Sequence, residues 1–208
     1  MARAAKSSGQ TGEAVEAAIA GDIQAGALPP GSWLKQIDLE RRYGCTRTDI
    51  RRALDRLTTR RLVQHIPERG YYVCLPDDRR KAELREIRVI LEMAMVDFLA
   101  ATPEAIAELR RLAERFAEAS AAGTHLERYE SNREFHVYLT GLSRNRELAA
   151  LIVDLRGHLP ATPVMQWHSQ ARIEQSAAEH FAMVEALAAG DGPRLKALLA
   201  DHIRQPTR

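Results

Sequence analysis

Cysteine is scarce in this chain: Cys45 and Cys74 are the only two in 208 residues, too few for a disulfide framework or a zinc knuckle. Long apolar runs are also missing. Even the stretch from Met93 to Phe98 is broken by Asp97, whereas a membrane span needs roughly 18 to 20 apolar residues in succession. Met1 to Gly12 is small and polar, without the apolar core of a secretory signal. There is no His-Glu-x-x-His pair, no Gly-x-Ser-x-Gly elbow and no glycine-rich phosphate loop, so common hydrolase and nucleotide-binding chemistries lack their reacting groups. The expectation is a soluble, cytoplasmic protein without a membrane partner.

Apolar residues make up 45% of the chain and charged residues 28%, the balance of a folded globular protein. The net charge of +2 hides an uneven distribution: residues 1–76 hold 12 Lys and Arg against 8 Asp and Glu, and the remainder 18 against 20. Residues 41–61 alone contain eight arginines and only two acids, Asp49 and Asp55. A basic cluster on a helical pattern points to a polyanion. Histidine is divided the other way, with six of seven beyond residue 76. Two halves of different chemistry imply two domains with different ligands.

The spacing of Val15, Ile19 and Ile23 predicts a helix over Thr11 to Ala25. After the Leu28-Pro29-Pro30-Gly31 turn and the short apolar pattern of Trp33, Leu34 and Ile37, a helix is expected over Gln36 to Tyr43, stopped by Gly44. Thr46 can cap a third helix, Arg47 to Arg60, with Ile50, Ala53, Leu54 and Leu57 as its buried stripe. Leu62 to Ile66 and Tyr71 to Leu75 are expected as strands flanking the Pro67-Glu68-Arg69-Gly70 tip. This order is that of a winged helix-turn-helix. The expected organisation is a flexible tail over 1–10, the winged helix over 11–76, a charged linker over 77–82 and an all-α bundle of about six helices over 83–205. Its helices are expected over Ala82–Ala101, Pro103–Ala122, Leu126–Leu142, Arg146–Leu159, Ala171–Ala189 and Pro193–Ile203. The fold class is therefore mostly α.

A helix-turn-helix places the first turns of its second helix in the major groove. Those turns are Thr46-Arg47-Thr48-Asp49-Ile50-Arg51-Arg52, with Arg47 and Arg51 one turn apart on the outer face. Arginine binds guanine O6 and N7 in a bidentate fork, discriminating by about 1–3 kcal/mol. Thr46, Thr48 and the helix N-terminus suit phosphate oxygens, and Asp49 suits an amino group such as cytosine N4. Arg69 and Gly70 at the wing tip suit the adjacent minor groove. On an isolated helix the same arginines would be a solvated face; here the cap, the preceding helix and the hairpin all agree.

Residues 11–75 resemble the DNA-binding domain of the GntR family of bacterial transcriptional regulators. The resemblance rests on Pro30-Gly31-Ser32-Trp33-Leu34, on Thr46-Arg47-Thr48-Asp49-Ile50-Arg51-Arg52-Ala53-Leu54, and on Pro67-Glu68-Arg69-Gly70-Tyr71-Tyr72-Val73. It implies that Arg47, Thr48, Arg51, Arg69 and Gly70 face DNA. Three positions depart from the family pattern: Asp49 for proline, Arg52 for glutamate and Arg61 for glycine.

In the second half, Asn132 and His136 are four residues apart on one predicted helix and so share a face. His180 lies among Met183, Val184 and Leu187, and His202 among Leu195, Leu198 and Leu199. Converging imidazoles suit zinc, nickel or manganese, but a histidine in an apolar stripe is more often a hydrogen-bonded core residue, and periodicity does not establish convergence. Residues 83–205 resemble the FCD effector domain of the family's FadR branch, and the two resemblances cover about nine-tenths of the chain. The second implies that Asn132, the Phe135-His136 pair, His180 and His202 hold a divalent transition metal. Asparagine in place of aspartate leaves that set one negative charge short. It further implies a small organic acid as effector. Arg88, in Arg88-Val89-Ile90-Leu91-Glu92, and Asn145 are the candidate contacts, although Arg88 could equally pair with Glu92 one turn away. His158 and His168 are further candidates at the pocket mouth. The expected function is a ligand-responsive repressor, a homodimer on a palindromic operator. A metal-dependent hydrolase using the histidines and a ligand-free architectural DNA binder are the alternatives.

Overall fold

The computed structural model describes residues 8–75, 77–157 and 170–204, with side chains from Gly12 onward. The chain divides into two compact units, the first running to Asp77 and also taking in Gly157, the second holding Asp78–Arg156 and, among the described residues, 170–204.

The first unit contains α1 (Ser8–Gln24), β1 (Trp33–Leu34), α2 (Gln36–Tyr43), α3 (Arg47–Thr59), β2 (Val63–Ile66) and β3 (Gly70–Val73). Its core joins Val15, Ile19 and Ile23 of α1 to Ile50, Leu54 and Leu57 of α3. Gly44 ends α2 in the left-handed region at φ 62°, where its N–H donates to the Glu40 carbonyl. That conformation is cheap for glycine and strained for most other residues. The antiparallel sheet has the order β1-β3-β2, with Trp33 opposite Tyr72 and Gln64 opposite Tyr72 on the other side. Strand alternation sends Leu34, Val63, Tyr71 and Val73 inward and leaves Trp33 exposed. Two-residue β1 is a strand where only a short apolar pattern was expected, and Ile37 of that pattern is exposed. Arg61, the residue where the resemblance leads one to expect glycine, has φ 55° between α3 and β2.

The second unit holds α4 (Asp78–Met95), a 3₁₀ turn (Val96–Phe98), α5 (Pro103–Ala122), α6 (His125–Gly141), α7 (Arg146–Gly157), α8 (Gln170–Ala188) and α9 (Gly192–Arg204). Met95, Leu109, Phe135, Leu139, Ile152, Met183, Leu195 and Leu199 form its core. Thr102 caps α5 by accepting from the Ala105 N–H, and Thr124 caps α6 in a reciprocal box with Glu127. The charged segment expected as a linker is already helical from Asp78. Its pairs Lys81–Asp78 and Arg79–Glu83, at i,i+3 and i,i+4, support a helical turn. At its other end α4 stops at Met95, short of the expected Ala101. The chain becomes extended at Leu99, which bridges to Ser143, and Ala100 N–H donates to Leu142. No helix among the described residues is long and apolar enough to cross a membrane.

Candidate functional site

In the first unit, a capping box sets the start of α3. The Thr46 hydroxyl donates to Asp49 Oδ2 at 2.6 Å and accepts from the Asp49 N–H at 3.3 Å, while the carboxylate also accepts from the Thr46 N–H. The structure therefore gives two of the expected DNA contacts another task. Asp49 is buried with its carboxylate turned onto its own helix, and the Thr46 hydroxyl hydrogen is already engaged. Arg47, Thr48, Arg51 and Arg52 are exposed. The Arg47 Nε–H donates to Gln36 Oε1 at 3.1 Å, which ties the guanidinium to the start of α2. Gln36, Arg47, Thr48, Arg51, His65 and Tyr71 line an open groove of about 440 Å³. The Tyr71 hydroxyl donates to Asp55 at 2.5 Å and thereby ties β3 to α3. At the hairpin tip Arg69 is exposed and its N–H closes the turn onto Ile66. Gly70 has φ 92°, where a side chain is strained, and a Cβ there would lie a tight 3.2 Å from the Trp33 indole nitrogen.

In the second unit the structure brings the three histidines together. His136 Nε2 lies 3.0 Å from His202 Nε2 and 3.2 Å from His180 Nε2, although these residues sit on α6, α9 and α8. All three are buried. Phe135 stacks on His180 with ring centres 4.1 Å apart, and Phe116 covers it at 4.7 Å. Burial holds His136 and His180 well below the ordinary imidazole range. Burial also lowers His202, against the opposing hydrogen bond from Glu179. The rings are thus neutral at pH 7, the state that ligates metal. Nitrogen ligands about 2.1 Å from an ion lie about 3.0 Å apart at an octahedral edge and about 3.4 Å at a tetrahedral one. The two observed separations fall within this range. Asn132, one turn before His136, is buried, and its Oδ1 has no hydrogen-bond partner among the described residues. The donor set fits a divalent transition ion.

Arg88 pairs with Glu92, with Nε and Nη2 each 3.0 Å from Oε1. Arg156 of α7 takes the other oxygen at 2.9 Å. Burial would raise the Glu92 carboxyl, but the Arg156 and Arg88 charges outweigh it and hold the group below the usual carboxylate range. Burial pulls the Arg156 guanidinium down to about 10, still charged at neutral pH. Its Nε is buried without a hydrogen-bond partner among the described residues. Asn145 accepts from the Leu148 N–H at 3.1 Å and so caps α7. His158 and His168 lie outside the described residues. Arg156 and Glu179 were missed because each acts across a helix interface. Glu179 Oε2 is 2.7 Å from His202 Nδ1 on α9. Its only signal in sequence is its place beside His180.

A family model described as bacterial regulatory proteins, gntR family, matches residues 11–73, and an FCD domain model matches residues 83–205, more than half of the chain. An HTH-type transcriptional regulator in an unstable DNA locus of Streptomyces ambofaciens is 27% identical over 85% of this chain and 75% of its own length. The Nta operon transcriptional regulator of Aminobacter aminovorans is 26% identical over 85% of this chain and 83% of its own. The solved structure of E. coli McbR/YncC superposes with a TM-score of 0.83 at 25% identity, covering 94% of both chains. The families and these relatives are transcription regulators, not enzymes, and the hydrolase alternative falls with that finding. With its winged helix followed by an FCD domain, the chain belongs to the gntR family of bacterial transcriptional regulators.

Proposed function

We propose that the protein is a cytoplasmic, ligand-responsive repressor that binds a palindromic operator as a homodimer and releases it when a small organic acid occupies a metal-containing pocket of the FCD domain. The observation that carries this reading is the convergence of three buried imidazole nitrogens, two pairs 3.0 and 3.2 Å apart, with Asn132, one turn before His136, buried and its Oδ1 without a partner among the described residues. Asn132, His136, His180 and His202 would hold zinc, nickel or manganese. A bound ion supplies a Lewis-acid position for a carboxylate oxygen. Arg156, with a buried Nε lacking a partner among the described residues, suits the acid's other oxygen better than Arg88, whose fork is closed on Glu92. An architectural DNA binder without a ligand would leave this buried centre unexplained.

On the DNA side, Arg47 and Arg51 would read base edges from the exposed face of α3, with Thr48 and Arg52 on phosphates and Arg69-Gly70 in the minor groove. Thr46 and Asp49 would act by fixing the start of that helix. Ile87 and Ile90, exposed on α4 at 43% and 66%, offer an apolar strip to a second copy.

The test is metal analysis of the full chain purified without chelator, followed by thermal shifts with a panel of small carboxylic acids and operator binding by anisotropy. About one transition ion per chain, an acid that stabilises only the loaded protein, and weaker operator binding with that acid are expected. Loaded protein that responds to no acid would remove the sensing role. A chain that takes up no ion would remove the metal.

A further inference from the structure

Three imidazoles, which ligate metal as neutral rings, converge at the centre, the uncharged Asn132 stands one turn before His136 on α6, and the positive charges of Arg156, Arg172 and Arg88 bear on the rings. A dication buried in such surroundings needs a negative group close by. Glu92 is not available, since both its oxygens are gripped by Arg88 and Arg156. Glu179 is differently placed. Its Oε2 accepts from His202 Nδ1 at 2.7 Å. Its Oε1 accepts from Gln175 at 2.9 Å, and Arg172, itself buried, holds both oxygens at 3.2 and 3.4 Å. The contact to His202 is the shortest of these. It is also selective: the Nδ1 atoms of His136 and His180 are buried without a partner among the described residues.

The geometry follows from the helix. Consecutive residues on α8 diverge by about 100°, so His180 turns to His136 while Glu179 reaches α9. One dipeptide thereby serves two histidines on two other helices.

We propose that Glu179 is the positioning residue of the metal centre: through His202 Nδ1 it aims Nε2 at the ion and supplies, one shell out, the negative charge that Asn132 lacks. This rests on the metal reading of the same site. A carboxylate on the far nitrogen fixes the tautomer, strengthens the imidazole as a donor and typically changes metal affinity 10–100-fold. Arg172 and Gln175 hold the carboxylate in place for that contact.

The experiment compares zinc affinity, by competition with a chromogenic chelator, in full-length wild type, Glu179→Gln, Asn132→Asp and the double variant. Thermal unfolding is followed for each protein with and without zinc. Glu179→Gln should weaken zinc binding about 10–100-fold, and Asn132→Asp placed in that background should recover most of the loss by returning a charge to the ion directly. Wild-type affinity in Glu179→Gln would overturn the proposal. So would a double variant no tighter than Glu179→Gln, or a stability loss equal with and without zinc, which would make the carboxylate a clasp between α8 and α9 only. Absence of zinc uptake by wild type would overturn the metal reading itself, a result separable from loss in the variant alone.

Discussion

Arg156 Nη2 lies 2.9 Å from Glu92 Oε2, so a residue of α7 closes an ion triad whose third member, Arg88, holds Oε1 from one turn back on α4. Glu92 is 1% exposed. Removing one member of a buried ion group leaves the others uncompensated, a loss of about 3–5 kcal/mol. Glu92→Ala is therefore expected to lower the stability of the chain by that amount in urea unfolding. A loss below about 1 kcal/mol, the scale of an exposed pair, would mean the triad contributes little to holding α4 and α7 together.

The same carboxylate sets an acid response. Its folded pKa is depressed because the Arg156 and Arg88 charges outweigh burial. The stability it contributes is complete above the unfolded value of about 4.3 and is lost as pH falls through the lower folded value. Stability measured from pH 6 down to pH 3 should fall less steeply in Glu92→Gln than in wild type. Parallel curves would assign the acid sensitivity to other groups.

Arg61 holds a left-handed backbone at φ 55°, a conformation costing about 1–2 kcal/mol in a residue with a Cβ. Glycine removes that strain but gains freedom in the unfolded chain, worth roughly 0.5–1 kcal/mol in the opposite direction. Arg61→Gly should thus stabilise the winged-helix unit by about 0.5–1 kcal/mol, visible as a shifted denaturation midpoint. Destabilisation would show that the arginine side chain makes a compensating contact. Arginine also adds a positive charge beside the recognition helix, so the same variant should reduce the salt dependence of operator binding if that charge meets phosphate.

Arg47→Ala should weaken specific operator binding by about 1–3 kcal/mol and relax base choice at one position of each half-site. Arg69→Ala should lower affinity more evenly across sequences. Anisotropy titrations against the operator and its single-position variants separate the two patterns. Unchanged discrimination in Arg47→Ala would remove base reading from that side chain.

Elements whose ends carry their own chemistry were legible in sequence. Helix α5 runs from Pro103 to Ala122 as expected, because Thr102 and Pro103 start it and Gly123 follows it. The capping of α3 by Thr46 was legible for the same reason, whereas the job of Asp49 was not. A carboxylate three residues into a helix is equally suited to an N-cap and to a base, and only the fold decides. Charge misled at Asp78, where a polar composition suggested a linker and the local ion pairs made a helix instead. The histidine stripes were visible as periodicity on three helices, but their meeting was not, since periodicity orients a side chain only about its own axis. Arg156 and Glu179 lay beyond reach for a related reason: Arg156 meets Glu92 from 64 residues away, and Glu179 meets His202 from 23.

The imidazole triangle also has a topological meaning. It joins points 44 and 66 residues apart along the chain, so an occupant bonded to all three rings closes two long loops at once. Cross-links of that span restrict the unfolded ensemble by an amount that grows only slowly with loop length, on the order of 4 kcal/mol for a covalent bridge. An occupant of the triangle is therefore a removable staple, and losing it would loosen α6, α8 and α9 together rather than any one of them alone.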